Sequence, residues 1–497
     1  MRPEWQSFAE RAKLNWPLWC VLVIQIAITI PWLSHYAPSN DEALYLRAGH
    51  EEWAHWLHGV PTPRSFPLTF SGAPVLWPPL GALADSIGGL TAARALCMIL
   101  MLGVTALTYF TALRLAAMRR DVAAFAAALA GLTGLASFLG GSATFEPLAL
   151  FLLMLSTWLA VRAKGNRWVY IAAGLVLALA NAAKYGTVAW DLVVIGLATL
   201  HNWTDWKSAA RRGLILGCCT AIFVVGLLAV GGKSYVHGIT ATTLGRGSAP
   251  ATIAITSETV IFHSFMLIGG VLVLAILAIA ASGLRHEHWS HTCLLGLLTL
   301  GLIIPMIDQA RLGQLGSLDR NTGFGLPFGA IAAGFGISYT IDWISEHSRK
   351  GPIPARAAWV APVVALMIFG LVHPWQASGG QGVARRLATL IQRSYRPGTY
   401  IGVPGSGDIE QYYLPKIGSR KWVPLNKPRF TRLLRQHRIS VIVLHYSPRY
   451  PQEEATVLNL ISHSAGWSLI RTLGHGQHAT EVWVFSRVHS HMPSRRQ

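Results

Sequence analysis

Charge is the first thing this 497-residue chain lacks. Asp, Glu, Lys and Arg make up 13% of it, against 52% hydrophobic residues. A water-soluble globular protein of this length needs more charged surface, so that class is excluded. Cysteine is also scarce. Cys20, Cys97, Cys218, Cys219 and Cys293 all fall in apolar stretches, so neither a disulfide framework nor a cysteine–zinc site is readable. Acids are scarcer than bases, 22 against 41, for a formal net charge of +19. No Walker motif, Ser-His-Asp order signal or zinc-protease motif occurs. The Gly405–Gly407 turn lacks the full glycine spacing and later acidic partner of a nucleotide loop, and reads as a structural turn.

Apolar runs are what the chain has instead. Eleven stretches are expected to span a bilayer: 17–34, 91–117, 122–140, 144–162, 168–184, 186–202, 212–231, 259–282, 292–308, 323–343 and 357–373. The 168–202 region reads as two spans or as one hairpin with a tight turn. Arg2, Arg11 and Lys13 precede the first run, and small residues follow near Ala37, as at a cleaved signal. The length of the run and the spans that follow favour an uncleaved first span.

With the N-terminus inside, the inner loops hold Arg119 and Arg120; Arg162, Lys164 and Arg167; Lys207, Arg211 and Arg212; Arg285; and Arg349, Lys350 and Arg356. Outer loops are poorer in Lys and Arg, so the orientation is coherent. The basic excess then reads as loop anchoring and contact with anionic membrane lipids rather than nucleic acid. The chain is expected to form a membrane domain over 1–373, with a first outer loop at 35–90, and an outer domain over 374–497. The second region carries 17 Lys/Arg against 5 Asp/Glu. Its strand, turn and helix signals predict a small α/β domain ending in a hairpin of strands near Trp467–Leu473 and Thr480–Ser486.

The first outer loop opens with SNDEALYLRAGHEEWAHWLHG at 39–59. Leu46, Gly49, Trp53, Trp56 and Leu57 recur at helical spacing, with Arg47, Glu51, His55 and His58 on the other side. This predicts an interfacial helix with its Trp face down. Asp41 and Glu42 at its start have two compatible readings. Asn40 or Asp41 caps the helix, or one carboxylate removes a proton from an acceptor hydroxyl while its neighbour orients the acceptor. His50, His55 and His58, beside Glu51 and Glu52, permit a metal site by spacing but do not require one. The segment 74–89 reads as a Pro-rich break and a short apolar helix that does not cross by itself.

Few ionisable residues enter the spans, and Arg94, Glu146, Lys184 and Asp191 sit near expected outer ends. A pathway through the bilayer would place such groups at several depths, so a site at the outer interface is favoured. Lys184 and Arg320 either snorkel or bind phosphate, with Arg246 and Arg311 as weaker candidates of the same kind. Glu146 in SATFEPLAL is either structurally paired or part of an acceptor site.

These motifs, in this order and sidedness, resemble the C-type glycosyltransferase superfamily. Within it they are most similar to the protein O-mannosyltransferase and lipid A aminoarabinose transferase branch. DEALYLRAG, WPPLGALADSIGGLTAARAL, FEPLALFLLMLS, LANAAKYG and GSLDRNTGFGLPF carry the resemblance, which covers the membrane region. It implies a polytopic helical membrane protein of that fold in a bacterial plasma membrane. It implies transfer of a sugar, with inversion, from a polyprenyl-phosphate donor to an envelope lipid, glycan or protein on the extracytoplasmic face. Asp41 would be the general base, Glu42 would help hold the acceptor, and Tyr45 is a further acceptor-site candidate. Lys184 and Arg320 would neutralise the departing phosphate. The resemblance requires no cofactor and leaves a divalent metal open. The loop details and the basic C-terminal domain depart from the nearest branches. Two alternatives remain: a flippase or transporter of lipid-linked glycans, which would need related halves and midplane polar residues, and a non-catalytic glycan-binding membrane protein.

Overall fold

The computed structural model describes residues 15–62, 66–244, 256–313, 315, 317–347, 381–405, 407–445, 451–462, 466–473 and 480–485. The chain divides into two compact units: Met1–Leu33 with Arg64–Gln376, and Ser34–Pro63 with Ala377–Gln497. The first unit is helical, and every expected span from 17–34 to 323–343 lies on helix. The expected span 357–373 lies outside the described residues. Among those residues, six helices are long and apolar enough to cross a membrane. A seventh is made if Arg120–Gly131 and Gly134–Gly140, bent by 61°, count as one broken span. The chain is a multi-pass membrane protein.

Burial orders these helices around Leu318–His347. Within its most apolar window 94% is buried, against 17% for Trp206–Thr242. The central helix therefore contacts protein on all sides, through Phe324, Phe328, Ile331 and Phe335, while the peripheral one presents Ile222, Val225 and Val230 outward. The 74–89 segment forms the start of Trp77–Leu115, whose first turn takes Pro78 and Pro79 without loss because its amides lack helical partners. A kink at Gly88 and Gly89 separates this short part from the span, and Gly89 needs its missing side chain because its φ is +65°.

The two ends of the central helix carry different chemistry. Near its C-terminus, Asp342 accepts from Arg119 at 2.9 Å and lies 3.6 Å from Arg285, tying together two loops expected on the inner side. Near its N-terminus, Asn321 meets Lys184. At 1.5 Å per residue these positions lie about 30 Å apart along the helix, the thickness of a bilayer's hydrocarbon core.

The second unit has a five-stranded sheet of order β2-β1-β3-β5-β4. Its strands are β1 (Tyr400–Val403), β2 (Trp422–Pro424), β3 (Ile439–His445), β4 (Trp467–Leu473) and β5 (Thr480–Phe485). β2, β1 and β3 run parallel, while β5 is antiparallel to both β3 and β4. Helix Gln381–Ser394 covers one face through Leu387 and Ile391, against Ile401, Val403, Val441 and Val443. Helices Pro428–Arg435 and Pro451–Ser462 cover the other through Phe430, Leu433, Val457 and Ile461. Strand β2, three residues ending in Pro424, was not legible in the sequence: it is an edge strand too short to show alternation.

The helix at the start of the first outer loop, Asn40–His58, groups with this second unit. The expected polar face is not solvated. Arg47 is buried and donates from Nη2 to Asp408 Oδ1 at 2.8 Å, with Glu51 Oε1 3.6 Å from its Nε. The expected membrane-facing stripe is split. Leu46 and Gly49 are buried in protein, while Trp56 and Leu57 are exposed. Asp408→Ala, which leaves the Arg47 guanidinium buried without this carboxylate, is expected to cost about 3–5 kcal/mol. Thermal unfolding of the full-length protein in detergent checks this against Glu481→Ala.

Candidate active site

In the first unit three helix ends meet around Lys184. Helix Arg167–Ala183 stops there because Lys184 takes an extended conformation, φ −149° and ψ 114°, before a 3₁₀ turn at Tyr185–Trp190. Its ammonium donates to Asn321 Oδ1 at 2.9 Å and lies 3.4 Å from Glu146 Oε1. It also stands over the rings of Phe324 at 4.8 Å and Phe145 at 5.6 Å. The Lys184 side chain is 12% exposed and that of Glu146 3%, so Lys184 does not snorkel to water. Glu146 occupies the first turn of helix Glu146–Arg162, where the helix dipole favours a carboxylate. Arg320, next to Asn321 in the chain, acts electrostatically on the same carboxylate.

The surrounding chain holds this arrangement still. Trp77 donates its indole N–H to Ala143 O at 3.2 Å, pinning the turn before Glu146. Tyr185 N donates to Ser71 O at 2.7 Å, and Ala73 N donates to Ala182 O. Gly72 lies so close to the Ala183 carbonyl that a Cβ there would overlap it, so only glycine fits.

Other expected candidates have structural partners. Arg94 is buried and donates to the carbonyls of Trp32 and Leu33, closing the C-terminal end of the first span. Asp191 accepts both bonds from Asn181 Nδ2, at 2.9 and 3.1 Å, and Asn181 Oδ1 in turn accepts from Thr187. Arg311 is exposed and pairs with Asp308 at 3.1 Å, three residues away on its own helix, apart from the Lys184 cluster. Arg246 lies outside the described residues.

In the second unit Asp41 and Glu42 occupy the first turn of Asn40–His58. The cap is Ser39, not Asn40 or Asp41. Ser39 Oγ accepts from Glu42 N at 3.3 Å, and Glu42 Oε2 accepts from Ser39 N at 2.8 Å, a reciprocal capping box. Glu42 is thereby buried and committed to the helix end, whereas Asp41 is half-buried. Tyr45, one turn along on the same side as Asp41, is buried. The S-x-x-E spacing of Ser39 and Glu42 was the signal that identifies this cap. Asn321 carried no such signal, being an uncharged residue inside a motif whose arginine draws attention.

The histidines of this helix lie at its C-terminal half, where His55 Nδ1 is 3.0 Å from Val60 O. Among the described residues no group of three or more His, Cys, Asp or Glu is placed to hold a metal ion. Glu52 is buried, and burial, followed by the neighbouring Glu51, pushes its carboxyl up to about 8. The folded state therefore binds this proton more tightly than the unfolded chain. The stability it contributes is present below the ordinary carboxylate range near 4.5 and is lost as pH rises towards 8. Glu52→Gln is expected to raise the melting temperature at pH 8 and leave it nearly unchanged at pH 4.5. Unfolding scans at the two pH values check this.

No protein-family model and no curated relative matches the sequence. Solved structures do match its fold. ArnT from Cupriavidus metallidurans in the apo state superposes with a TM-score of 0.59 at 14% identity, covering 95% of this chain and 98% of that one. ArnT bound to undecaprenyl phosphate gives 0.57 at 15% identity over the same shares. The Archaeoglobus fulgidus oligosaccharyltransferase in complex with Zn and sulfate gives 0.55 at 13% identity, covering 89% of this chain and 69% of that one. The chain thus has the C-type glycosyltransferase fold, with a C-terminal α/β domain.

Proposed function

We propose that this protein is an integral membrane glycosyltransferase that takes its sugar from a polyprenyl-phosphate donor. The observation that carries this is the buried Lys184 ammonium, held by Glu146 and Asn321 at one end of the central helix. It lies a bilayer's thickness along that helix from the Arg119–Asp342–Arg285 cluster. A fixed cation at that depth suits a lipid-borne phosphate, the group named in the ArnT complex with undecaprenyl phosphate. We place the site on the extracytoplasmic face of a bacterial plasma membrane, because the basic loops mark the other face.

Asp41 is the general base. It takes the proton from an acceptor hydroxyl as that oxygen attacks the anomeric carbon, and the bond from that carbon to the phosphate oxygen breaks with inversion. The phosphate leaves with the bonding pair, and Lys184 and Arg320 balance its charge. The leaving group is already good, so positioning, a base and fixed cations suffice without a covalent nucleophile. Glu42 acts through the helix cap, keeping Asp41's turn in place, and Tyr45 lines the acceptor side of that turn. The acceptor is an envelope lipid, glycan or protein. Mass spectrometry of lipid-linked sugars and envelope glycans in cells with and without the protein tests this. An accumulating donor and one missing glycan are expected; unchanged pools of both overturn the reading.

A further inference from the structure

The second unit gathers three cations around one tyrosine. Lys421 Nζ stands 4.9 Å from the centre of the Tyr400 ring, and the guanidinium carbons of Arg429 and Arg438 each stand 5.3 Å from it. They come from separate places in the chain. Tyr400 opens β1, Lys421 immediately precedes β2, Arg429 lies in helix Pro428–Arg435, and Arg438 immediately precedes β3. The parallel pairing fixes them together: Ile401 is opposite Trp422, Tyr400 is opposite Ile439, and Tyr400 N donates to Arg438 O at 2.9 Å. Tyr400 packs against the same apolar cluster as Phe430, which brings Arg429 over its ring.

Among the described residues no carboxylate balances this charge. Among the described residues none of the three cations is in an ion pair. The ring's negative face attracts each cation weakly, while the cations repel one another. The hydrogen bond from Arg429, with the charges of Arg438 and Lys421 outweighing burial, holds the Tyr400 phenol below its usual range. Both arginines are exposed and Lys421 is half-buried, so a solvent-borne or membrane-borne group can reach them.

We infer that Lys421, Arg429, Arg438 and Tyr400 form a binding site for a phosphate monoester or inorganic phosphate. A carboxylate brings one negative charge and two oxygens and would leave most of the cluster uncompensated. A phosphoryl group brings close to two charges and three oxygens, which two guanidinium forks, an ammonium and a phenol can surround. The site belongs to the second unit, whereas the proposed donor cluster at Lys184 belongs to the first.

The test uses the full-length protein in nonionic detergent, with inorganic phosphate, short-chain phosphatidic acid and acetate as probes. Equilibrium binding gives affinities, and hydrogen exchange localises the bound group. Protection of Tyr400–Val403 and Trp422–Pro424 by a phosphate probe is expected in the parent and in the K184M/E146Q pair, and not in the K421A/R429A/R438A variant. Arg438→Ala alone, an exposed truncation, is expected to weaken binding by about tenfold, and Lys416→Ala to leave it unchanged. Binding of phosphatidic acid alone assigns the site to a lipid head group, and equal binding of both phosphates assigns it to a soluble phosphate. Retained protection in the triple variant, acetate binding equal to phosphate, or no protection in the parent overturns the inference. Loss of protection in a folded K184M/E146Q pair would also overturn it, by assigning the signal to the donor cluster.

Discussion

Asp41→Asn is expected to lower the transfer rate by about 10²–10⁴-fold, the range that a positioned general base contributes, while donor binding and the folded state persist. The substitution is nearly isosteric, and asparagine is well tolerated at helix starts. Asp41 lies outside the capping bonds made by Ser39 and Glu42, so the helix end survives the change. The neighbouring acid provides the internal comparison. Glu42→Gln keeps an oxygen that accepts from Ser39 N and is expected to leave turnover within several-fold of the parent. Glu42→Ala loses that bond and about 1 kcal/mol of helix stability. Single-turnover transfer from a purified polyprenyl-phosphate sugar, with melting temperatures measured in parallel, checks the set. Normal turnover in folded Asp41→Asn sinks Asp41 as the base, and collapse in Glu42→Gln alone moves the role to its neighbour.

The second large effect is at Lys184. Lys184→Met keeps the length of the side chain but takes from Glu146, 3% exposed, the cation that lies 3.4 Å away. Breaking a buried pair in this way costs about 3–5 kcal/mol, so lost activity in the single variant has two causes. The pair K184M/E146Q separates them. Neutralising both partners removes the stranded charge, and the melting temperature is expected to return most of the way to the parent value. Activity is not expected to return, because the departing phosphate has lost a preorganised donor, a loss of about 10²–10³-fold. Glu146→Gln alone keeps the Lys184 charge and is expected to retain tighter binding of a polyprenyl phosphate than the pair. Recovery of both stability and turnover in K184M/E146Q would show that Lys184 only holds the helices together.

The residues of the Lys184 cluster were partly legible. Glu146, Lys184 and Arg320 stand out because charge near a membrane span is costly and so conspicuous. Asn321 does not, and for Arg94 and Asp191, which also sit near expected outer ends, the sequence does not say what they bind. Only packing shows that their polar atoms are occupied by the Trp32 and Leu33 carbonyls and by Asn181.

The amino-acid sequence by itself determined the membrane class, the helices from 17–34 to 323–343 and the hairpin of β4 and β5. Those follow from hydrophobic run length and local periodicity, which neighbouring residues set. The tertiary structure alone decided that Asn40–His58 packs in the second unit. Arg47 and Asp408, separated by 361 positions, are brought to 2.8 Å there, and no local pattern encodes a pairing across that distance. It also decided that Tyr400 gathers Lys421, Arg429 and Arg438, since strand register and helix packing place them together. In sequence they are ordinary members of a basic domain.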